Sequence, residues 1–227
     1  MNNAPMMKRF AAIALGLLVS ACGITPLHYH GAPISGRVLD AQTGQPVEGA
    51  VVLATWKVWG CCTTLQDARQ RVVAVSEALT DAQGNYRIEA WGPIERPLGY
   101  ERIVGFDPMI SVFKPQYEPA PLVNFAWRSG AAANDFRDST LKSVYDGQDI
   151  RLKPYGEDVV RRLKTFADVL DGNALEADED TRPRAGNAIR QRVMSMQRRS
   201  VSLVNAELRR MGSSYEWSTP VSFLPAK

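Results

Sequence analysis

Three cysteines and two histidines in 227 residues leave little material for metal or disulfide chemistry. Zinc fingers, disulfide-dense scaffolds and four-ligand sites made from these residues alone are excluded. Familiar catalytic signatures are missing too. There is no Gly-x-Ser-x-Gly elbow, no His-Glu-x-x-His and no glycine-rich phosphate loop followed by Lys-Ser/Thr. An enzyme made from Asp and Glu pairs, such as a glycosidase, stays open, because carboxylate separation cannot be read from sequence. Long apolar runs are also absent. The longest, Phe10 to Val19, would reach at most about 18 Å as a helix with its flanks, against a hydrocarbon core of roughly 30 Å. Charge bias is slight: 27 Lys and Arg against 24 Asp and Glu give +3, which does not point to nucleic acid. An apolar content of 45% nevertheless suits a folded chain, so disorder throughout is excluded. The length fits one domain with an appendage or two small domains.

The N-terminus carries the strongest signal. Lys8 and Arg9 precede the apolar run, and the small residues Ser20 and Ala21 lead to Cys22. This is the layout of a secretory signal over residues 1–21. The tetrad Val19-Ser20-Ala21-Cys22 resembles the bacterial lipobox. The resemblance implies a diacylglyceryl group on the Cys22 thiol, cleavage after Ala21, acylation of the new amine, and a mature chain running from Cys22 to Lys227. One acyl chain binds a bilayer only marginally at about 0.8 kcal/mol per CH₂, whereas several anchor permanently. The alternative is ordinary cleavage after Ala21 with Cys22 left as a thiol. Without Lys8 and Arg9 the formal charge falls to +1. Gly23 stands where lipoproteins of the inner membrane often carry Asp, which favours the outer membrane, on its periplasmic or surface face.

Residues 22–33 read as a tether, since Ile24 to Pro33 contains two prolines and no periodicity. His28 and His30 alternate within it, either as a weak pair of metal ligands or as incidental polar residues; no metal is expected. Strand patterns follow. Ile34 to Leu39 leads through turn formers at Asp40 to Pro46 into Val47 to Trp56, which can place Ala50, Val52, Ala54 and Trp56 on one face. Val72 to Thr80 and Asn85 to Trp91 form a second hairpin, closed at Asp81 to Asn85 by an Asx-type bond and the permissive Gly84. Met109 to Phe113 and Asp149 to Leu152 add further strands. Short strands separated by turn signals predict an antiparallel β-sandwich.

These residues resemble the carboxypeptidase regulatory-like domain, a transthyretin-like β-sandwich. The likeness rests on Ile34-Ser35-Gly36-Arg37-Val38, Asp40, Thr43-Gly44, Pro46-Val47-Glu48-Gly49-Ala50 and Val52, and on Thr80-Asp81, Gly84, Tyr86 and Ile88. Lys114-Pro115 with Tyr117-Glu118-Pro119 is similar to the Lys-Pro-Gly-Tyr signature of a lipoprotein subgroup, with Gln116 in place of the glycine. The resemblance covers roughly residues 34–154 and implies a binding or structural role rather than chemistry. The hydrolase branch of the transthyretin fold uses strand histidines and a C-terminal Tyr-Arg-Gly-Ser, both missing here.

Two insertions enlarge the sandwich. Lys57 to Arg71 contains Trp59 and the adjacent Cys61 and Cys62, which form a strained vicinal disulfide or stay free; Gln116 to Thr140 contains Phe125 and Trp127. Such loops either bind a partner or merely decorate the domain. After Pro154 the period changes to helical. Val159, Leu163, Phe166 and Leu170 share a face, an acidic linker spans Ala174 to Gly186, and Asn187 to Met211 repeats the pattern. A C-terminal α-helical hairpin over residues 155–212 packed on the sandwich, followed by a tail at 213–227, is the simplest organisation. Its second helix holds Arg190, Arg192, Arg198, Arg199, Arg209 and Arg210 against one acid, Glu207, for a charge of +5 between Gly186 and Met211. These arginines spread widely opposite Ile189 and Met196, as on a solvated face, and Glu176, Asp178, Glu179 and Asp180 can offset them; docking to an anionic surface is the alternative.

The expectation is a lipid-anchored envelope protein whose mainly β sandwich binds or scaffolds without catalysis. It has no catalytic, cofactor or metal residues, and Cys22 is its lipid attachment site. The partner is an envelope protein or, alternatively, a glycan stacked on exposed Trp59, Trp91 and Trp127.

Overall fold

The period-two stretches named above form strands in the computed structural model, except that residues 47–50, expected to open the strand ending at Trp56, form a turn ahead of it. The structure describes residues 28–60, 70–95, 100–103, 108–126, 131–132, 134, 139–157, 159–164, 166, 195 and 198–212. The strands are β1 (His28–Gly31), β2 (Ile34–Asp40), β3 (Val51–Gly60), β4 (Gln70–Leu79), β5 (Asn85–Ile88), β6 (Trp91–Glu95) and β7 (Tyr100–Ile103). They continue as β8 (Met109–Phe113), β9 (Ala120–Leu122), β10 (Phe125–Ala126), β11 (Ala131–Ala132), β12 (Thr140–Leu141) and β13 (Gln148–Leu152). One helix, Arg198–Arg210, follows, and residues 159–164 and 166 are also helical.

The protein is a mainly β sandwich with a C-terminal helix. One sheet runs β4-β3-β8-β9, with β7 also paired to β3. The other layer is built on an antiparallel ribbon interrupted at residues 32–33 and 89–90, so that it forms two three-stranded sheets, β13-β2-β5 and β12-β1-β6: β2 pairs with β5 through Ile34↔Ile88, and β1 with β6 through Gly31↔Trp91 and His28↔Glu95. Only at its edges do strands run parallel, β13 along β2 and β12 along β1. Residues 89–90 interrupt the expected strand from Asn85 to Trp91, dividing it into β5 and β6.

The spacer expected over residues 22–33 ends earlier than its sequence suggested. Residues 28–31 form β1, and Tyr29 is fully buried. One apolar residue between two histidines is too short for a periodic signal. Burial of that ring and pairing on both sides make the strand.

The inner core joins Ile34, Val38, Tyr86, Ile88, Ile150 and Leu152 of one layer to Val52, Ala54, Trp56, Ile110 and Val112 of the other. Ala50, Val52, Ala54 and Trp56 thus share the face their alternation predicted. Their neighbours Val51 and Leu53 are equally buried, on the outer face of the five-stranded sheet. There Leu163, Phe166, Val201, Val204 and Leu208 cover them, with Phe113 against Phe166 at 5.9 Å between ring centroids. Sheet and helical segments form a third layer because β3 is apolar on both sides. Val159 and Leu203 pack at its margin. Leu170, Ile189, Val193, Met196 and the acidic linker lie outside the described residues.

Leu208→Ala should lower stability by about 2–5 kcal/mol, as truncation of a fully buried leucine does. The exposed Ser202→Ala should change it by less than about 0.5 kcal/mol. Urea titration followed by tryptophan fluorescence measures both.

Candidate interaction surface

Three polar turns crowd one end of the sandwich, two of them closed by side chains. Asp40 accepts the amides of Gln42 and Thr43, both at 2.7 Å, and the Tyr117 hydroxyl at 2.9 Å. These bonds, led by the Thr43 amide, hold its carboxyl below the usual range. Thr80 is buried; its hydroxyl donates to the Val47 carbonyl at 2.6 Å and accepts the Ala50 amide at 2.8 Å. Asp81 accepts the amides of Gln83 and Asn85, as the Asx reading predicted, and Gly84 closes the loop at φ +76°. At Gly84 a Cβ would stand 2.5 Å from the Val38 carbonyl, so glycine is required there on two counts.

The third turn is Lys114 to Tyr117, with Tyr117 N–H donating to the Lys114 carbonyl at 3.0 Å. Gln116 takes φ +75°, as the third residue of a type II turn must. The glycine of the Lys-Pro-Gly-Tyr pattern is thus replaced without loss of the left-handed conformation. Tyr155 N–H donates to the Gln116 carbonyl at 3.1 Å, which helps to fix it.

Two carboxylates dock the helix on this frame. The helix has no acid in its first turn. Glu77 of β4 supplies one: it accepts the Ser200 amide at 2.9 Å, the Ser200 hydroxyl at 2.6 Å and the Arg199 amide at 3.2 Å. A carboxylate at the positive end of a helix satisfies otherwise unpaired amides. Burial still raises the Glu77 carboxyl above its ordinary range, against these bonds. At the other end Glu207, 3% exposed, accepts the Tyr155 hydroxyl at 2.7 Å and two bonds from Arg210 at 2.7 and 2.9 Å. Its carboxyl is held below the ordinary range chiefly by Arg210, against burial. Burial and Glu207 push the Tyr155 hydroxyl up.

Glu77 also borders an open cleft of about 340 Å³ with Val75, Ser76, Ser195, Arg198 and Arg199. The two helix amides nearest the cleft are already taken by Glu77. The Arg198 and Arg199 side chains on the cleft's rim are exposed.

The insertion Gln116 to Thr140 is pinned by two buried asparagines. Asn124 donates to the Lys142 carbonyl at 2.9 Å and accepts the Val144 amide at 2.7 Å. Asn134 donates to the same carbonyl at 2.9 Å and accepts the Lys142 amide at 2.8 Å. The side-chain amides thus stand in for a neighbouring strand. Beside them Val123 and Val144 are 49% and 36% exposed, a small apolar pair on a firmly held loop.

Several residues singled out in the sequence lie outside the described residues: Cys22, Cys61, Cys62, Trp127, Arg190, Arg192 and the tail at 213–227. The Trp59 side chain does too, although its backbone belongs to β3. Trp91 packs edge-to-face on Trp56, with centroids 5.3 Å apart and planes at 74°. Its ring covers Gly31 and its indole N–H is buried, and the residue as a whole is half-buried. His28 is exposed and His30 half-buried, on the opposite side of β1 from Tyr29. Among the described residues, no group of three or more His, Cys, Asp or Glu could hold a metal ion. Arg198, Arg199, Arg209 and Arg210 are exposed, as both a solvated face and docking to an anionic surface require. Sequence reasoning missed Glu77, Asn124, Asn134 and Tyr155. Of these only the absence of a helix N-terminal acid hinted that one must come from elsewhere.

No family model matches the chain, and no curated protein matches it. Among solved structures it is similar to chlorocatechol 1,2-dioxygenase from Pseudomonas putida, at 18% identity and TM-score 0.29, covering 57% of this chain and 62% of that one. Catechol 1,2-dioxygenase from Pseudomonas arvilla C-1 is similar at 18% and 0.29, with 60% and 56% covered. The plantain pollen allergen Pla l 1 is similar at 14% and 0.25, with 56% and 94% covered. The chain thus spans less than two thirds of either dioxygenase. At these TM-scores the likenesses bear on neither its fold nor its chemistry.

Two substitutions test the docking of the helix. Glu77→Ala should cost about 0.5–2 kcal/mol, the usual worth of a helix cap, and Glu77→Gln less because its carbonyl still accepts. Glu207→Gln should cost about 1–3 kcal/mol at pH 7. Because the folded Glu207 carboxyl is depressed, its stabilisation is complete above the ordinary value of about 4.3 and is lost as pH falls through the folded value. The gap between wild type and Glu207→Gln should accordingly narrow from pH 7 to pH 3 in urea titrations.

Proposed function

We propose that this protein is a lipid-anchored lipoprotein of the bacterial cell envelope whose β-sandwich binds or scaffolds another envelope protein without catalysing a reaction. The observation that carries the reading is Val19-Ser20-Ala21-Cys22, placed ahead of a sandwich whose first described strand starts at His28. Acyl chains on Cys22 would hold the domain at the membrane, and Gly23 favours the outer one. Among the described residues no helix is long and apolar enough to cross a membrane.

Within the sandwich, the residues shared with the carboxypeptidase regulatory-like pattern serve turns and core. Asp40, Thr80, Asp81 and Gly84 each close a loop. Such use of polar residues supports a scaffold rather than a reaction centre. The pinned insertion with Val123 and Val144 is the surface we assign to a protein partner. A glycan partner is the weaker reading, since Trp91 is engaged with Trp56.

Cys22→Ala should shift the protein from the membrane fraction to the soluble periplasmic fraction, or leave the precursor uncut. Fractionation with immunoblotting reads both results. Normal cleavage with unchanged membrane retention would refute the anchor.

A further inference from the structure

The strand register gives the sandwich two unlike ends, and the chain between Cys22 and β1 determines which of them can meet a membrane. β1 begins at His28, whose partner is Glu95, the last residue of β6. Only residues 96–99 separate Glu95 from Tyr100, and Tyr100 pairs with Gly60, the last residue of β3. β4 starts beside it, with Gln70 opposite Trp59. The starts of β1, β4 and β7 and the ends of β3 and β6 therefore lie together.

The other end holds the polar turns. Val38 N–H donates to the Gly84 carbonyl at 2.8 Å, and Gly49 N–H to the Thr80 carbonyl at 2.9 Å. Tyr117 reaches Asp40 there. From His28 to Asp40 the chain runs down this ribbon for about 40 Å at roughly 3.3 Å per residue.

Only Gly23 to Leu27 lie between Cys22 and His28. Six Cα-to-Cα steps at no more than about 3.6 Å allow at most about 22 Å between the two residues. That reach is shorter than the ribbon. Resting on the lipoprotein reading above, we propose that the sandwich is held one way round at the lipid surface carrying its anchor, because the tether is too short for it to invert. The end marked by His28 and Glu95 is apposed to the headgroups, and the Asp40, Asp81 and Gln116 turns point into the aqueous space. The connection from β3 to β4, which carries Cys61 and Cys62, leaves and returns at the membrane-facing end.

The test uses the full mature chain, acylated on Cys22 and purified from membranes, with Cys61→Ser and Cys62→Ser so that one added thiol is unique. A donor dye is placed at His28→Cys, Glu95→Cys, Gln42→Cys or Gln83→Cys, all exposed positions. The protein is inserted in phosphatidylethanolamine–phosphatidylglycerol vesicles containing a headgroup-labelled acceptor lipid. Energy transfer should be at least about twofold greater from positions 28 and 95 than from 42 and 83. Ten Gly and Ser residues inserted after Gly23 should abolish most of that difference. Equal transfer from both ends, greater transfer from the turns, or a preference that survives the longer tether would each overturn the orientation. Mass spectrometry of the intact chain separates the two levels. An acylated chain without the preference refutes only the orientation, whereas an unacylated membrane-derived chain refutes the lipoprotein reading and the orientation with it.

Discussion

Burial of β3 on both faces is the constraint on which the rest of the structure depends. Residues Val51 to Trp56 are all buried, with Val52, Ala54 and Trp56 in the inner core and Val51 and Leu53 beneath the helical layer. A sandwich closed only on its inner side would leave Val51, Leu53 and Phe113 in water. At about 25 cal/mol per Å² of apolar surface, the hydrophobic effect would oppose that exposure strongly. The helix Arg198–Arg210 and the helical residues around Leu163 and Phe166 are thus part of the fold, not an accessory to it.

Apolar burial is non-directional, and polar bonds set where the helix sits. Glu77 from the sheet caps one end of it, while Tyr155 fastens Glu207 near the other. The two carboxylates have opposite environments. Glu77 is dominated by desolvation and Glu207 by its arginine. Acid therefore works on them in opposite senses: protonation relieves a buried charge at Glu77 and breaks a charge-assisted set at Glu207. The insertion is organised in the same manner, with the Asn124 and Asn134 side chains bonded to the backbone of Lys142 and Val144.

Polar residues in this protein are used mostly to close turns and join elements, which accords with the binding or scaffolding role proposed for it. A short tether and a sandwich with two distinct ends would convert a lipid anchor into an orientation. The partner surface would then be chosen by geometry as much as by side-chain chemistry. Asn124, next to Val123, is bonded to the backbone of Lys142 and Val144, so a partner would meet a preformed surface there and little ordering cost would arise on binding.

The strands were legible because alternation reports one buried face. Ile34 and Val38, Tyr86 and Ile88, and Ile150 and Leu152 all point inward as their spacing requires. The Asp81 turn and its Gly84 were legible for a local reason, since an Asx bond and a left-handed glycine involve residues at most four apart. β1 was not, because one buried tyrosine carries no period. The Glu77 cap and the Tyr155–Glu207 bond were also invisible: they join residues 123 and 52 positions apart, and nothing local identifies the partner. Of the candidate surface, Val123, Val144 and their asparagines look like ordinary loop residues until the fold brings Lys142 alongside. The sequence by itself determined the β class, the turn chemistry and the Leu163, Phe166 and Val204 part of the helical face that seals the outer sheet, though not Val201 and Leu208, since each depends on neighbours within a few residues. Only the tertiary structure decided which strands share an end, where the helix is capped and how near the sandwich begins to Cys22, because these depend on register between segments that no local pattern encodes.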